Sequence, residues 1–125
     1  MAYILDAGAL IGADRRDERV VMFLAVARAD GERLRVPSGV VAQAWRGGSS
    51  QASLSRLLAT VEEIPLDEVR SRKVGALLGS SKTSDVIDAS LVELAMVGDT
   101  ILTSDTDDIT HLVKAAKNRA RVLRV

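Results

Sequence analysis

"ILTSDTDDI", residues 101–109, runs from a short apolar stretch through Thr103 into three carboxylates, Asp105, Asp107 and Asp108, within four positions. An apolar run of this length, halted by small polar and acidic residues, predicts a buried strand that hands the chain to a helix. The same order stands at the N-terminus, where "AYIL" (2–5) is stopped by Asp6 and Gly8 and followed by "ALIGA" (9–13). Strand, acid, helix is the unit, and the rest of the chain repeats its alternation.

Between the two units, Val20, Val21, Phe23, Leu24 and Ala27 fall at helical spacing, which predicts a helix over 17–29 closed by Asp30-Gly31. "RLRV" (33–36) alternates before Pro37 as a second strand, and Ser38 is placed to cap a helix running to Trp45. "RGGSS" (46–50) reads as a turn, Leu54, Leu57 and Leu58 mark another helix, and "VEEI" (61–64) before Pro65 is a third strand. A helix over 67–78 is broken by "GSSKTS" (79–84), and the helical pattern resumes over 85–97. "TILT" (100–103) is the fourth strand, 107–116 the last helix, and "RVLRV" (121–125) the fifth strand. Parallel neighbours need helical crossovers, so this alternation predicts a three-layer α/β/α sandwich around a central parallel sheet of about five strands. A length of 125 residues suits one such domain, 1–125.

Composition narrows the chemistry. The core must be aliphatic, because aromatic residues make up 2% of a chain that is 47% hydrophobic. There is no cysteine and one histidine, His111, which excludes a disulfide framework, a thiolate metal site, a His-rich zinc centre and a cysteine nucleophile. A metal here must sit on oxygen. The N-terminus lacks the basic start and uninterrupted apolar stretch of a signal peptide, and no segment has the roughly 20 apolar residues of a membrane helix, so a soluble cytoplasmic protein with no membrane partner is expected.

Open parallel sheets bind ligands beyond the carboxyl ends of their strands, where Asp6 and Asp105 both fall if their strands are adjacent. "TSDVIDASLV" (83–92) adds Asp85 and Asp88, three apart on one helix face. Like charges so placed repel unless a cation compensates, and carboxylate and water oxygens suit Mg²⁺ or Mn²⁺. Singly, each acid has a plainer use: Asp6, Asp85 and Asp107 all stand near helix starts, where aspartate caps.

Four segments, "YILDAGALIGADRRD" (3–17), "VPSGVVAQAWRGG" (36–48), "TSDVIDASLV" (83–92) and "ILTSDTDDI" (101–109), resemble in order and spacing the motifs of PIN-domain proteins, and look most like VapC-type toxin ribonucleases of prokaryotic toxin–antitoxin pairs. The resemblance covers essentially the whole chain. It implies a Mg²⁺- or Mn²⁺-dependent endoribonuclease, a homodimer, and an antitoxin partner that obstructs the site. It also assigns catalytic and metal-binding roles to Asp6, Asp88 and Asp105, with Asp85 and Asp108 as further metal ligands. One position departs: where the family pattern has a glutamate, this chain has Gln43, a neutral amide oxygen in place of a charged one. Weaker metal binding is the expected consequence, and a PIN-fold interaction protein with lost catalysis is the alternative reading.

Thr103 and Ser104 are placed to hydrogen-bond a neighbouring carboxylate, to contact phosphate, or to serve the strand end. The formal net charge is zero, yet setting aside Asp6, Asp85, Asp88, Asp105 and Asp108 leaves twelve acids against 17 bases. That surplus suits RNA, with Arg15, Arg16 and Arg46 in loops after the motifs as candidate phosphate contacts and Lys114, Lys117, Arg119, Arg121 and Arg124 crowding the C-terminal segment. His111 is expected to be a surface or packing residue, Phe23 a core residue, and Trp45 a cover for the core or an interface residue.

Overall fold

Five strands, β1 (Ala2–Leu5), β2 (Arg33–Pro37), β3 (Glu62–Ile64), β4 (Thr100–Thr103) and β5 (Arg121–Arg124), form one sheet in a computed structural model that describes residues 1–125. Their order is β3-β2-β1-β4-β5 and every pairing is parallel. Seven helices connect them: α1 (Ala7–Asp14), α2 (Glu18–Ala29), α3 (Ser38–Ala44), α4 (Ala52–Leu58), α5 (Glu68–Ser81), α6 (Val86–Leu94) and α7 (Thr106–Ala115). The chain steps outward from β1 to β3, then crosses back to β4 and β5 on the other side. With right-handed crossovers that path puts α1–α4 on one face and α5–α7 on the other, and the helix–helix packing divides the same way, α3 alone also meeting α6. The α/β/α sandwich expected from the alternation is the architecture observed.

The central strands are buried on both sides, which explains why their sequences are continuous apolar runs. Ile4, Leu5, Ile101 and Leu102 from β1 and β4 are fully buried and meet Leu10, Leu91, Ile109 and Leu112 from the flanking helices. Phe23 is half-buried against this core, its ring edge-on to Tyr3 with centroids 5.2 Å apart. Because β1 and β4 are neighbours, with Leu5 opposite Leu102, the reversal of strand order falls between them. Asp6 and Asp105 leave the sheet on either side of that reversal.

Several element ends differ by a residue or more from the sequence expectation, and four of them have a plain local reason. Ser38 does not cap α3; Pro37 takes that position, and Ser38 is the first helical residue, its hydroxyl donating to Glu63 at 2.7 Å. Helix α5 continues through Gly79, Ser80 and Ser81, because the two serine hydroxyls donate back to the carbonyls of Leu77 and Leu78 and the helix stops only at Lys82, whose φ of 58° is left-handed. Helix α6 ends at Leu94 instead of reaching Val97. The Asn118 side chain caps it there, donating to the carbonyls of Val92 and Ala95, and the chain then turns through Gly98 at φ 89°. Helix α7 starts at Thr106, so Asp105 occupies the cap position and Asp107 lies in the first turn.

Candidate active site at the carboxyl rim

Asp6 follows β1 directly and is buried, with both oxygens engaged: Oδ1 accepts the Ala7 N–H at 2.7 Å and Oδ2 accepts the Thr103 hydroxyl at 2.6 Å. The same Thr103 oxygen accepts the Asp105 N–H at 2.9 Å. A single buried hydroxyl thus joins the acid at the end of β1 to the backbone of the acid beyond β4. Gly8 makes this close approach possible, since a Cβ there would lie 3.1 Å from Ser104 Oγ. Arg124 closes the loop from outside, donating to the Ser104 carbonyl at 3.0 Å and to Thr106 Oγ1 at 2.8 Å, on either side of Asp105.

Three of the acids come together. Asp88, Asp105 and Asp108 each offer a carboxylate oxygen, and these oxygens lie within 4.8 Å of one another. Asp108 reaches them because α7 begins at Thr106, which sets Asp105 and Asp108 three residues apart across the first turn. Asp85 sits one turn before Asp88, outside the compact set, and caps α6 through Oδ1, which accepts the Asp88 N–H at 2.9 Å. Asp6 stands behind the three, outside the compact set, yet close enough for its charge to act on Asp88.

The electrostatics record the crowding. Asp88, half-buried, has its pKa pushed up from 3.8 to about 7, first by burial and then by the charges of Asp85, Asp6, Asp105 and Asp108. Asp108 is also raised, chiefly by its hydrogen-bonding contact with Asp105 and by that neighbour's charge. An acid whose pKa is raised by burial and by surrounding acids marks a place where a cation would be favourable. The donors are all hard oxygens, which fit Mg²⁺ or Mn²⁺ and not a soft metal.

The other residues singled out in the sequence are placed less centrally. Gln43 is exposed on α3, one turn beyond Gly39, whose own Cβ position faces Ile87 of α6. Arg15 and Arg16 lie at the far end of α1 from Asp6, on the order of 15 Å along the helix axis at 1.5 Å per residue, and Arg16 Nε donates to Ser53 Oγ at 3.1 Å. Arg46 is turned back on its own helix end, donating to the carbonyls of Ala42 and Trp45. Trp45 is 41% exposed at that same end. His111 is exposed on α7, with Nε2 3.0 Å from the Ser81 carbonyl.

Two residues that shape the molecule escaped the sequence reading. Buried Gln51 accepts the N–H groups of Arg46 and Gly47 and donates to the Ala44 carbonyl and Asp14, fastening the glycine turn after α3. Buried Asp99, at the opposite rim, accepts the N–H groups of Ala2 and Met96. The doubled glycine before Gln51 and the Gly98-Asp99 pair were the available signals.

No family model matches this sequence, and no curated protein sequence matches it. Among solved structures, a chain in the crystal structure of VapBC2 from Rickettsia felis bound to a DNA fragment from their promoter is similar across 100% of this chain and 99% of that one, with a TM-score of 0.67. The fold is PIN-like. Sequence identity over that alignment is 15%, so the likeness speaks for the backbone architecture, while the site rests on the residues themselves. No helix is long and apolar enough to cross a membrane.

Proposed function

We propose that this chain is a divalent-metal-dependent endoribonuclease and the toxin of a toxin–antitoxin pair. The observation that carries the reading is the convergence of Asp88, Asp105 and Asp108 within 4.8 Å at the point where strand order reverses. Capping accounts for Asp85 and hydrogen bonding accounts for Asp6, but neither explains three carboxylates left facing one another. Asp88, Asp105 and Asp108 would hold Mg²⁺ or Mn²⁺, with Asp6 adding negative charge behind them. When bound, such an ion neutralises charge on the phosphodiester and makes water a better nucleophile.

The protein's own part is to keep these groups in place. Thr103 fixes Asp6 against the Asp105 backbone, and Arg124 holds the loop on both sides of Asp105. Asp88 retains a proton up to about pH 7 and must release it before its carboxylate can bind a cation. RNA entering this rim would reach Arg15, Arg16 and Arg46 only away from the cleaved bond, so their contribution is to binding and not to the chemical step.

The antitoxin belongs to the same reading. Away from the carboxylates, a groove of about 560 Å³ between α1, α2 and α4 presents Arg16, Arg28 and Arg56 beside Glu18, Leu24 and Leu57, a mainly basic and apolar lining suited to anchoring an acidic amphipathic segment of a partner. A homodimer is also part of the proposal, and its test is the mass in solution by analytical ultracentrifugation.

Cleavage of single-stranded or looped RNA, assayed with Mg²⁺, Mn²⁺ and EDTA in parallel, tests the activity. Asp88→Asn should abolish cleavage while the fold persists by circular dichroism. Activity that survives EDTA would overturn the metal requirement. Absence of activity under every condition would favour a PIN-fold interaction protein, the second reading, which rests on Gln43. In that case Gln43→Glu decides further: titration calorimetry should show tighter Mn²⁺ binding if the side chain reaches the ion, and unchanged binding if it does not.

A further inference from the structure

We propose that the hollow beside the carboxylates is a nucleotide subsite in which the His111 ring stacks on the base flanking the cleaved phosphodiester, an inference that rests on the ribonuclease reading above. The hollow, about 260 Å³, lies between the end of α5 and the first turns of α6 and α7. It is lined by Asp85, Asp88 and Asp108 together with Thr83, Ser84, His111 and buried Leu112. That volume falls below the roughly 300 Å³ where pockets for whole small-molecule ligands begin, so it suits one unit of a polymer held elsewhere along its length.

Charge decides which part of the unit enters. The carboxylates of Asp85, Asp88 and Asp108 make the hollow unfavourable for a phosphate away from the cation. A base and its ribose are neutral, and the Ser84 hydroxyl and the His111 ring can meet them. The ring is held for this purpose. Its Nε2 lies 3.0 Å from the Ser81 carbonyl, which can only accept, so Nε2 carries the hydrogen and the ring is anchored by its edge.

The chain has no other ring to offer at this place. It contains one Phe, one Tyr and one Trp; Phe23 and Tyr3 pack against each other, and Trp45 stands at the C-terminal end of α3. Single-stranded RNA is commonly held by bases stacked on aromatic side chains, histidine included. His111 is the aromatic group adjoining the acid cluster, and it adjoins it through an open hollow.

The test is fluorescence anisotropy with a short, end-labelled single-stranded RNA in Mn²⁺, with a gel of the same samples confirming that the RNA is intact when binding is read. His111→Ala should bind about tenfold more weakly, the loss typical of one base-stacking contact. His111→Phe keeps a ring without the Ser81 hydrogen bond and should bind within about twofold of the parent; His111→Gln keeps a hydrogen-bonding side chain without a ring and should resemble the alanine variant. Mn²⁺ affinity by calorimetry should be the same in all four proteins. Equal RNA binding by His111→Ala, or a phenylalanine variant as weak as the alanine one, overturns the subsite while leaving the nuclease reading intact. Failure of the parent protein to bind RNA in any metal overturns both.

Discussion

Asp99 at the amino rim of the sheet and Asp88 at the carboxyl rim are both partly or wholly withdrawn from solvent, and their surroundings treat them in opposite ways. At the amino rim, Asp99 is alone and satisfied: Oδ1 takes the Ala2 N–H at 2.8 Å, Oδ2 takes the Met96 N–H at 2.9 Å, and its carbonyl accepts the Arg121 N–H at 2.9 Å. One residue thereby ties the starts of β1, β4 and β5. At the carboxyl rim, Asp88 is half-buried among four acids, and burial first, then their charges, raises its pKa to about 7. Asp99 is surrounded by donors, whereas Asp88 is surrounded by its own kind. The same substitution made at the two rims should therefore change stability with opposite signs.

The largest effect belongs to Asp99. Replacing it with alanine removes two charge-assisted hydrogen bonds and leaves the N–H groups of Ala2 and Met96 without partners, at a cost of about 3 kcal/mol. Asp99→Asn keeps one acceptor oxygen and should lose about half as much. Urea unfolding at pH 7 measures both. A loss below about 1 kcal/mol for the alanine variant would break the comparison, because the amino rim would then not depend on its carboxylate.

Thr103 comes next, because it belongs to both kinds of site: it is fully buried like a folding residue, yet its hydroxyl joins Asp6 to the backbone of Asp105 at the carboxyl rim. Thr103→Val keeps the shape but leaves Asp6 Oδ2 and the Asp105 N–H unpaired, costing about 2 kcal/mol. Mn²⁺ affinity should fall about tenfold, as it does when the groups that orient ligands are removed. Thr103→Ser restores the hydroxyl and should recover most of the metal affinity. Thermal unfolding and calorimetry, run on the same samples, separate the two consequences.

Asp88→Asn should move stability the other way, and pH shows why. The folded-state pKa is near 7 against an ordinary 3.8, so between these values the folded chain binds more protons than the unfolded one and stability falls as pH rises. The penalty is absent below about pH 4 and complete above about pH 7. Nominally the shift is worth about 4 kcal/mol, but Asp88 is only half-buried and solvent screening brings this to roughly 1 kcal/mol. The metal-free asparagine variant should therefore be more stable than the parent at pH 8 and similar to it at pH 4. A parent whose stability is flat across this range would remove the electrostatic distinction between the rims.

The difference between the rims also explains what could be read from the sequence. The fold was legible because β1 and β4 are apolar runs ended by acids, and because each helix between strands carries its own spacing of Leu, Val and Ala. Asp6, Asp88 and Asp105 were legible as candidates because acids at strand ends and helix starts repeat in the chain, and Asp108 only through the family resemblance, since nothing in spacing alone says that Asp85 caps α6 while the exposed Asp108 reaches Asp88 and Asp105. Asp99 was not legible. A single aspartate beside a glycine looks like any turn residue until the N–H groups of Ala2 and Met96, 97 and three positions away, are seen to converge on it. The helix ends failed for the same reason, since Asn118 caps α6 from 26 and 23 residues away.

Arg124 sharpens the comparison at its smallest scale. It is exposed, so its two hydrogen bonds compete with water, and Arg124→Gln should cost only about 0.5 kcal/mol of stability. Yet those bonds fall on Ser104 and Thr106, the two neighbours of Asp105, so the loss should appear in ligand binding more than in folding. Mn²⁺ affinity should drop about threefold, below the tenfold or greater losses seen when a ligand's direct partner is removed. Lysine will not substitute, because one ammonium lacks the planar fork that reaches a carbonyl and a hydroxyl together. Thr106→Val removes one end of the contact from the other side, and a double-mutant cycle on Mn²⁺ affinity should show the two changes to be less than additive. Additive losses would mean that Arg124 acts on the rim by its charge alone, since a screened charge needs no particular partner, and raising the salt concentration would then erase its effect while leaving that of Thr106 unchanged.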